Sequence, residues 1–148
     1  MTDERIGAPW ERSWAEIKCS LAVFSDSIDA AAVTTCVGIE PTIQRVKGEP
    51  RSPKRPDVVV VSNQWVWRPG EAVERSLDAQ LDSIWAELGP RAEAFVSLSL
   101  EATVQLDVWI AHRGEDLSLG WSLDHRHVAM AASFGASVNV DEYDFTDS

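Results

Sequence analysis

A chain of 148 residues is long enough to bury a real core in one domain, and 45% hydrophobic and 25% charged residues with few Gly and Pro exclude collagen-like, low-complexity and wholly disordered classes. Against 13 Lys and Arg stand 24 Asp and Glu, a formal charge of −11 that repels phosphate backbones and anionic membranes over most of the surface. No apolar stretch approaches the roughly 20 residues that span a bilayer, and residues 1–14 lack the apolar core of a signal peptide, so a cytoplasmic product is expected.

Ser13 to Phe24 alternates, with Ala15, Ile17, Cys19, Leu21 and Val23 on one side and Trp14, Glu16, Lys18 and Ser20 on the other, which predicts a half-buried strand. Asp29 then stands as the N-cap of a short helix over Ala30 to Val37, and Gly38 as its left-handed stop. Thr42 to Lys47 suits a short strand, and Pro50, Pro53 and Pro56 mark a segment excluded from sheet and helix interiors. Asp57 to Arg68, with four consecutive valines and then Trp65, Val66 and Trp67, reads as one long strand or as a hairpin turning near Ser62 and Asn63.

Glu71 to Leu88 carries the clearest helical spacing: Val73, Leu77, Leu81, Ile84 and Leu88, with acids in the first turn and Gly89-Pro90 as the stop. Arg91 to Leu100 fits both a short helix and an extended alternation, helix being the preferred reading. Ala102 to Ala111 alternates as a strand burying Val104, Leu106, Val108 and Ile110. His112 to Gly120 is loop-like. Ser122 or Asp124 then caps a helix running to Phe134, Gly135 stops it, and Ala136 to Val140 forms a last strand beside an acidic tail. The order strand, capped helix, Gly, apolar strand thus occurs twice, at Leu21 to Ile43 and at Leu106 to Val140. The expected fold is one α+β domain over residues 1–148: a mostly antiparallel sheet, helices packed on one face, two weakly related α/β units, and candidate flexible ends at 1–12 and 142–148.

Between Leu21 and Pro50 the runs Leu21-Ala22-Val23-Phe24, Asp26-Ser27-Ile28-Asp29, Val37-Gly38-Ile39-Glu40-Pro41-Thr42 and Lys47-Gly48-Glu49-Pro50 resemble the opening signature of an uncharacterised bacterial family, domain of unknown function 4279. Trp65, the Leu77 to Leu88 helix, and Phe134 to Asp141 leading into Tyr143 fit the same pattern, so the resemblance covers most of Ser13 to Tyr143. The chain differs in its basic, proline-rich stretch and the four valines before Trp65. What the resemblance implies is a small cytoplasmic bacterial protein with no accepted activity and no assigned catalytic residues.

Several residues carry candidate chemistry. Cys19 and Cys36 lack metal-ligand spacing and read as buried free thiols in a reducing compartment. Asp124, His125 and His127, with His112 if the fold brings it close, could serve a metal-dependent hydrolase; but His125 and His127, two apart, diverge on a helix, and helix capping with solvent exposure is the favoured reading. No nucleophile elbow or phosphate-cradling loop is present, and no cofactor is implied. Arg45, Lys47, Arg51, Lys54 and Arg55 against Glu49 give Arg45 to Pro56 a charge of +4 and leave −15 for the rest. This basic stretch could contact phosphates, with Trp65 or Trp67 stacking a base, although a flexible loop pairing with acids is the simpler reading.

Seven tryptophans are many for a chain of this size, and exposed ones anchor interfaces. The preferred function is therefore a non-enzymatic module that binds a basic protein partner, most concretely an immunity-type inhibitor of a basic toxin, with a homodimer as a further possibility and nucleic acid and membrane disfavoured. Its predicted contact face joins Asp107 and Trp109 to Asp141, Glu142, Tyr143, Asp144 and Phe145. That face exists only if the last strand pairs beside the Ala102 to Ala111 strand; the competing reading folds Tyr143 and Phe145 over Trp109 as ordinary core.

Overall fold

Alternation of apolar and polar residues puts every second side chain of a strand on one face, so two long alternating strands placed side by side make one apolar and one polar surface. The computed structural model describes residues 14–70, 76–113 and 122–144. Its two longest strands, β1 (Trp14–Ser25) and β6 (Thr103–Arg113), pair antiparallel at the centre of the sheet, with Cys19 opposite Val108, Leu21 opposite Leu106 and Val23 opposite Val104. Around them lie β2 (Ile43–Arg45), β5 (Asn63–Trp67) and β7 (Ser137–Asp144) in the order β2-β5-β1-β6-β7. All pairs are antiparallel except β6 with β7.

The repeated strand-helix-strand unit is present in both halves. In the first, β1 leads through helix α1 (Ala30–Val37) to β2; in the second, β6 leads to helix α4 (His125–Ser133) and then to β7. Because β5 lies antiparallel to both, β1 and β2 run parallel with β5 between them, whereas β6 and β7 are direct neighbours. Helix starts follow the expected chemistry: the Asp29 carboxylate accepts from Ala32 N, and Asp124 from Arg126 N. Gly135, at φ 69°, is obligatory twice over, since an added Cβ there would lie 2.6 Å from Ser99 Oγ.

Helices α1, α2 (Leu77–Leu88), α3 (Ala92–Leu98) and α4 cover the apolar face. Leu21, Val23, Trp65, Leu106, Val108 and Ile110 from the strands meet Val33, Leu81, Ile84, Leu88, Phe95 and Ala131 from the helices. Complete burial of each large side chain contributes roughly 1.5–3 kcal/mol. An aromatic chain runs through this layer: Trp65 to Phe95, Phe95 to Phe134 and Phe134 to Trp85, with centroids 5.6, 5.3 and 5.4 Å apart. The Trp65 indole donates to Thr34 Oγ1 at 3.1 Å, which satisfies its one polar atom inside the core.

Several sequence expectations change. The run from Asp57 to Arg68 is neither one strand nor a hairpin with itself. The chain breaks at residues 60–62, and β4 (Arg55–Val59) pairs instead with β3 (Pro50–Ser52) in a separate two-stranded ribbon. Pro50 and Pro56 therefore do sit in strands, because a two-stranded ribbon has only edges and can leave a missing N–H facing outwards; Pro53 starts its tight turn. Of the four valines only Val60 is buried, and Val61 is 74% exposed. The basic stretch is thus a ribbon rather than an irregular loop. Helix α2 begins at Leu77, capped by the Ser76 hydroxyl accepting from Ala79 N, while Val73 and the acids Glu71 and Glu74 lie outside the described residues. Strand β7 runs through Asp144, so Asp141 to Asp144, read from the sequence as the acidic tail, continue the sheet.

Gln80 closes a gap that the sequence did not reveal. Strand β5 ends at Trp67, opposite Leu21, so β1 before that point has no strand on this side. The buried Gln80 amide substitutes for one, accepting from Cys19 N at 2.8 Å and donating to the Ile17 carbonyl at 2.5 Å.

Candidate functional site

The second face of the sheet carries no helix of the described chain. Pairing aligns its outward side chains in rows: Ala22 with Val66 and Gln105; Ser20 with Asp107, and Asp107 with Asn139; Lys18 with Trp109, and Trp109 with Asp141; Ala111 with Tyr143. Of these, Lys18, Ser20, Val66, Gln105, Asp107, Trp109, Asn139 and Asp141 floor a groove of about 510 Å³. A slightly larger hollow of about 560 Å³ lies at the end of the sheet among Ser25, Asp26, Ser99 and Glu101, but its charged groups are two acids, and Asp26 is already paired with Lys47 at 3.5 Å. The groove holds the denser chemistry.

Its β6–β7 half is acidic and aromatic. Asp107 Oδ1 accepts from Gln105 Nε2 at 2.5 Å and from Asn139 Nδ2 at 3.3 Å, and the same Asn139 amide donates to Asp141 Oδ2 at 3.2 Å. Asn139 thus holds two carboxylates side by side. Burial pushes the Asp107 carboxyl above its ordinary range, the hydrogen bonds from Gln105 and Asn139 oppose that, the neighbouring Asp141 charge adds to it, and the Arg68 charge works against it. Trp109 is half-buried here rather than in the core; its ring lies 5.9 Å from Tyr143, and the Lys18 ammonium sits 5.1 Å from its centroid. Tyr143 is 47% exposed. The pairing that the sequence reading required between the last strand and the Ala102 to Ala111 strand is present, and Tyr143 does not bury Trp109 as core. Glu142 lies in register with Ile110, on the other side of β7, and Asp144 with His112; Phe145 is outside the described residues.

The β2–β5 half is basic. Arg45 and Arg51 from the proline-rich stretch line it together with Arg68, which the sequence reading missed. Arg45 Nη1 donates to the buried Gln64 Oε1 at 3.0 Å. Partial burial and then the charges of Arg51 and Arg68 hold the Arg45 guanidinium below its ordinary pKa. The other cations of that stretch do not line this groove: Lys47 pairs with Asp26, Arg55 pairs with Asp57 at 3.5 Å and borders an adjoining hollow, and Lys54 stands at the tip of the ribbon. Trp65 and Trp67 occupy the helix-covered side, Trp65 wholly buried, so neither stacks beside the arginines as the sequence suggested.

The histidines do not converge. His125 is 99% exposed beside Asp124. His127 is fully buried, which departs from the expectation of exposure: its Nδ1 accepts from Trp85 Nε1 at 3.0 Å, and its Nε2 lies 2.8 Å from Asp78 Oδ1. An indole only donates, so Nδ1 is the unprotonated nitrogen and Nε2–H donates to the carboxylate. His127 therefore ties α4 to α2 through both ring nitrogens and has no free lone pair for a metal. Among the described residues no three His, Cys, Asp or Glu side chains are placed to hold a metal ion, and the side chain of His112 lies outside them. Cys19 is a free thiol pushed up to about 12 by burial, and Cys36, against expectation, is exposed and also free.

Phe24, Gln64, Arg68, Gln105 and Asn139 complete the groove, and alternation alone could have flagged the three polar residues lying in strands, since each stands on the polar side of its strand. What alternation does not give is which strands are neighbours. Sheet order and side-chain placement define an α+β protein with one helix-covered sheet face and one open face that bears a bipolar groove. The chain belongs to the family described as domain of unknown function (DUF4279), whose model matches residues 15–145. No curated protein and no solved structure gives a significant match.

Proposed function

We propose that this chain is a non-enzymatic protein-binding module that docks a basic partner protein on the β6–β7 half of its open sheet face. One observation carries the reading: Trp109, half-buried on that face, stands beside Asp107, Asp141 and the exposed Tyr143 instead of in the core. Aromatic anchors ringed by charges are the usual composition of an affinity-bearing patch, because the rings supply most of the binding energy while the rim charges steer approach. The formal charge of −11 selects a basic partner. Asp107 fits the same picture, since a partly buried carboxylate raised by desolvation gains most from a cation brought to it.

The most concrete form of this reading is an immunity-type inhibitor of a basic toxin, acting in a reducing, cytoplasmic compartment where two free thiols persist. No helix among the described residues is long and apolar enough to cross a membrane, in keeping with that setting. The test is affinity capture from the native host at low salt with the wild-type chain, Trp109→Ala and Asp141→Asn, each first shown to be folded. The reading requires an identified basic protein that the wild type retains, both variants lose, and salt releases. A partner retained equally by all three chains overturns it. So does self-association alone, seen by light scattering as a mass of twice 16.3 kDa that Trp109→Ala abolishes.

A further inference from the structure

The basic half of the groove has chemistry that a basic partner does not use. Among the described residues Lys18, Lys47, Arg55 and Arg126 pair with carboxylates, whereas Lys54 and Arg91 show no ion pair. Arg45, Arg51 and Arg68 likewise have no ion pair there, Arg68 reaching Asp107 only as a neighbouring charge, and what sets the three apart is that they line one groove. They are near enough to repel: burial first, and then the charges of Arg51 and Arg68, disfavour the protonated form of Arg45. Holding three like charges together opposes folding unless something offsets it. The position of Arg45 is also built: the buried Gln64 accepts from one of its nitrogens at 3.0 Å, which fixes the guanidinium on the sheet and leaves the remaining donors available. A second hollow of about 350 Å³ shares Arg45 and Arg51 and adds Ser52 and Arg55, so the donors surround a space rather than a flat surface.

We propose that Arg45, Arg51 and Arg68 form a binding site for a phosphate group, borne by a small phosphomonoester. Guanidinium forks match phosphate oxygens in geometry, and a phosphomonoester carries a charge near −2, which relieves three-way repulsion better than a single carboxylate does. The rest of the ligand extends along the groove floor over Phe24 and Val66 towards Asp107, whose carboxylate accepts a donor from it. The arginines lie in the same groove as the Trp109 patch and meet it at Asp107, but they are supplied by other strands, so phosphate binding does not depend on the partner-binding reading.

The experiment is a titration of the isotope-labelled full chain, following arginine Nε–Hε resonances, with inorganic phosphate, glycerol phosphate, acetate and a short single-stranded oligonucleotide. Saturable shifts of Arg45, Arg51 and Arg68 are expected, with a Kd on the order of 1 mM for inorganic phosphate, a tighter value for glycerol phosphate and no saturation with acetate. Arg51→Ala, an exposed ribbon position that leaves the fold intact, weakens phosphate binding about tenfold or more, whereas Lys54→Ala at the ribbon tip changes it less than about twofold. Equal losses in the two variants, or shifts that grow linearly with every anion, overturn the site as diffuse electrostatics. Tighter binding of the oligonucleotide than of glycerol phosphate, with a steep salt slope, overturns the small-ligand form in favour of a nucleic-acid surface.

Discussion

The two faces of the central sheet are made from the same strands and differ only in which residues of each alternation they receive. The covered face takes Leu21, Trp65, Leu106 and Val108, all within 1% of complete burial, and is closed by four helices. The open face takes Lys18, Arg45, Asp107, Trp109 and Asp141, gathers three arginines with no ion pair among the described residues and keeps a carboxylate partly desolvated. One face lowers the free energy of the fold, and the other holds groups that folding alone does not favour. Groups of the second kind are where binding is expected, because a ligand supplies what the fold withholds.

If that contrast is right, substitutions on the covered side reduce stability, and those on the open side reduce binding at little cost in stability. The largest effect belongs to Phe134→Ala, which removes the ring joining Trp85 to Phe95: unfolding by denaturant should show a loss of about 3–5 kcal/mol. Next comes His127→Leu, which strands the buried Trp85 N–H; a loss of about 1–3 kcal/mol is expected, and zinc should leave the melting temperature of the wild type unchanged. A comparable loss from Gln80→Leu would show that one side-chain amide replaces a missing strand beside Cys19 and Ile17.

The open face should behave in the opposite sense. Because burial raises the folded-state pKa of Asp107 above its unfolded value, the ionised carboxylate opposes folding at neutral pH, and that opposition fades as pH falls through the raised pKa. Asp107→Asn, whose amide oxygen still accepts from Gln105 and Asn139, should therefore melt at the same or a higher temperature than wild type at pH 7, with the gap closing in acid. A clear drop in melting temperature would place Asp107 among the residues that hold the fold and would blur the contrast between faces.

Much of this organisation is legible in the residues. Period-two alternation marks β1 and β6, and Asp29, Gly38, Asp124 and Gly135 mark the ends of α1 and α4, because capping and positive φ depend on local chemistry. Which segments pair, near or far in the chain, is less legible. Val58 to Val61 have the composition of a core strand, yet β4 joins a ribbon whose partner lies only a few residues earlier. Arg68 carries no local sign of a site; it matters because β5 lies between β1 and β2, a matter of sheet order. His127 was legible as part of a cluster and misread for the same reason, since its partners Trp85 and Asp78 come from another helix.

The most direct measurement is the affinity of the folded Trp109→Ala variant for the basic partner identified by capture, set against its melting temperature. A lost anchor on the open face predicts affinity reduced by about thirtyfold or more, with stability within about 1 kcal/mol of wild type. Unchanged affinity, or a loss of stability as large as that of Phe134→Ala, would mean that Trp109 is ordinary core and that the open face is not where this protein binds.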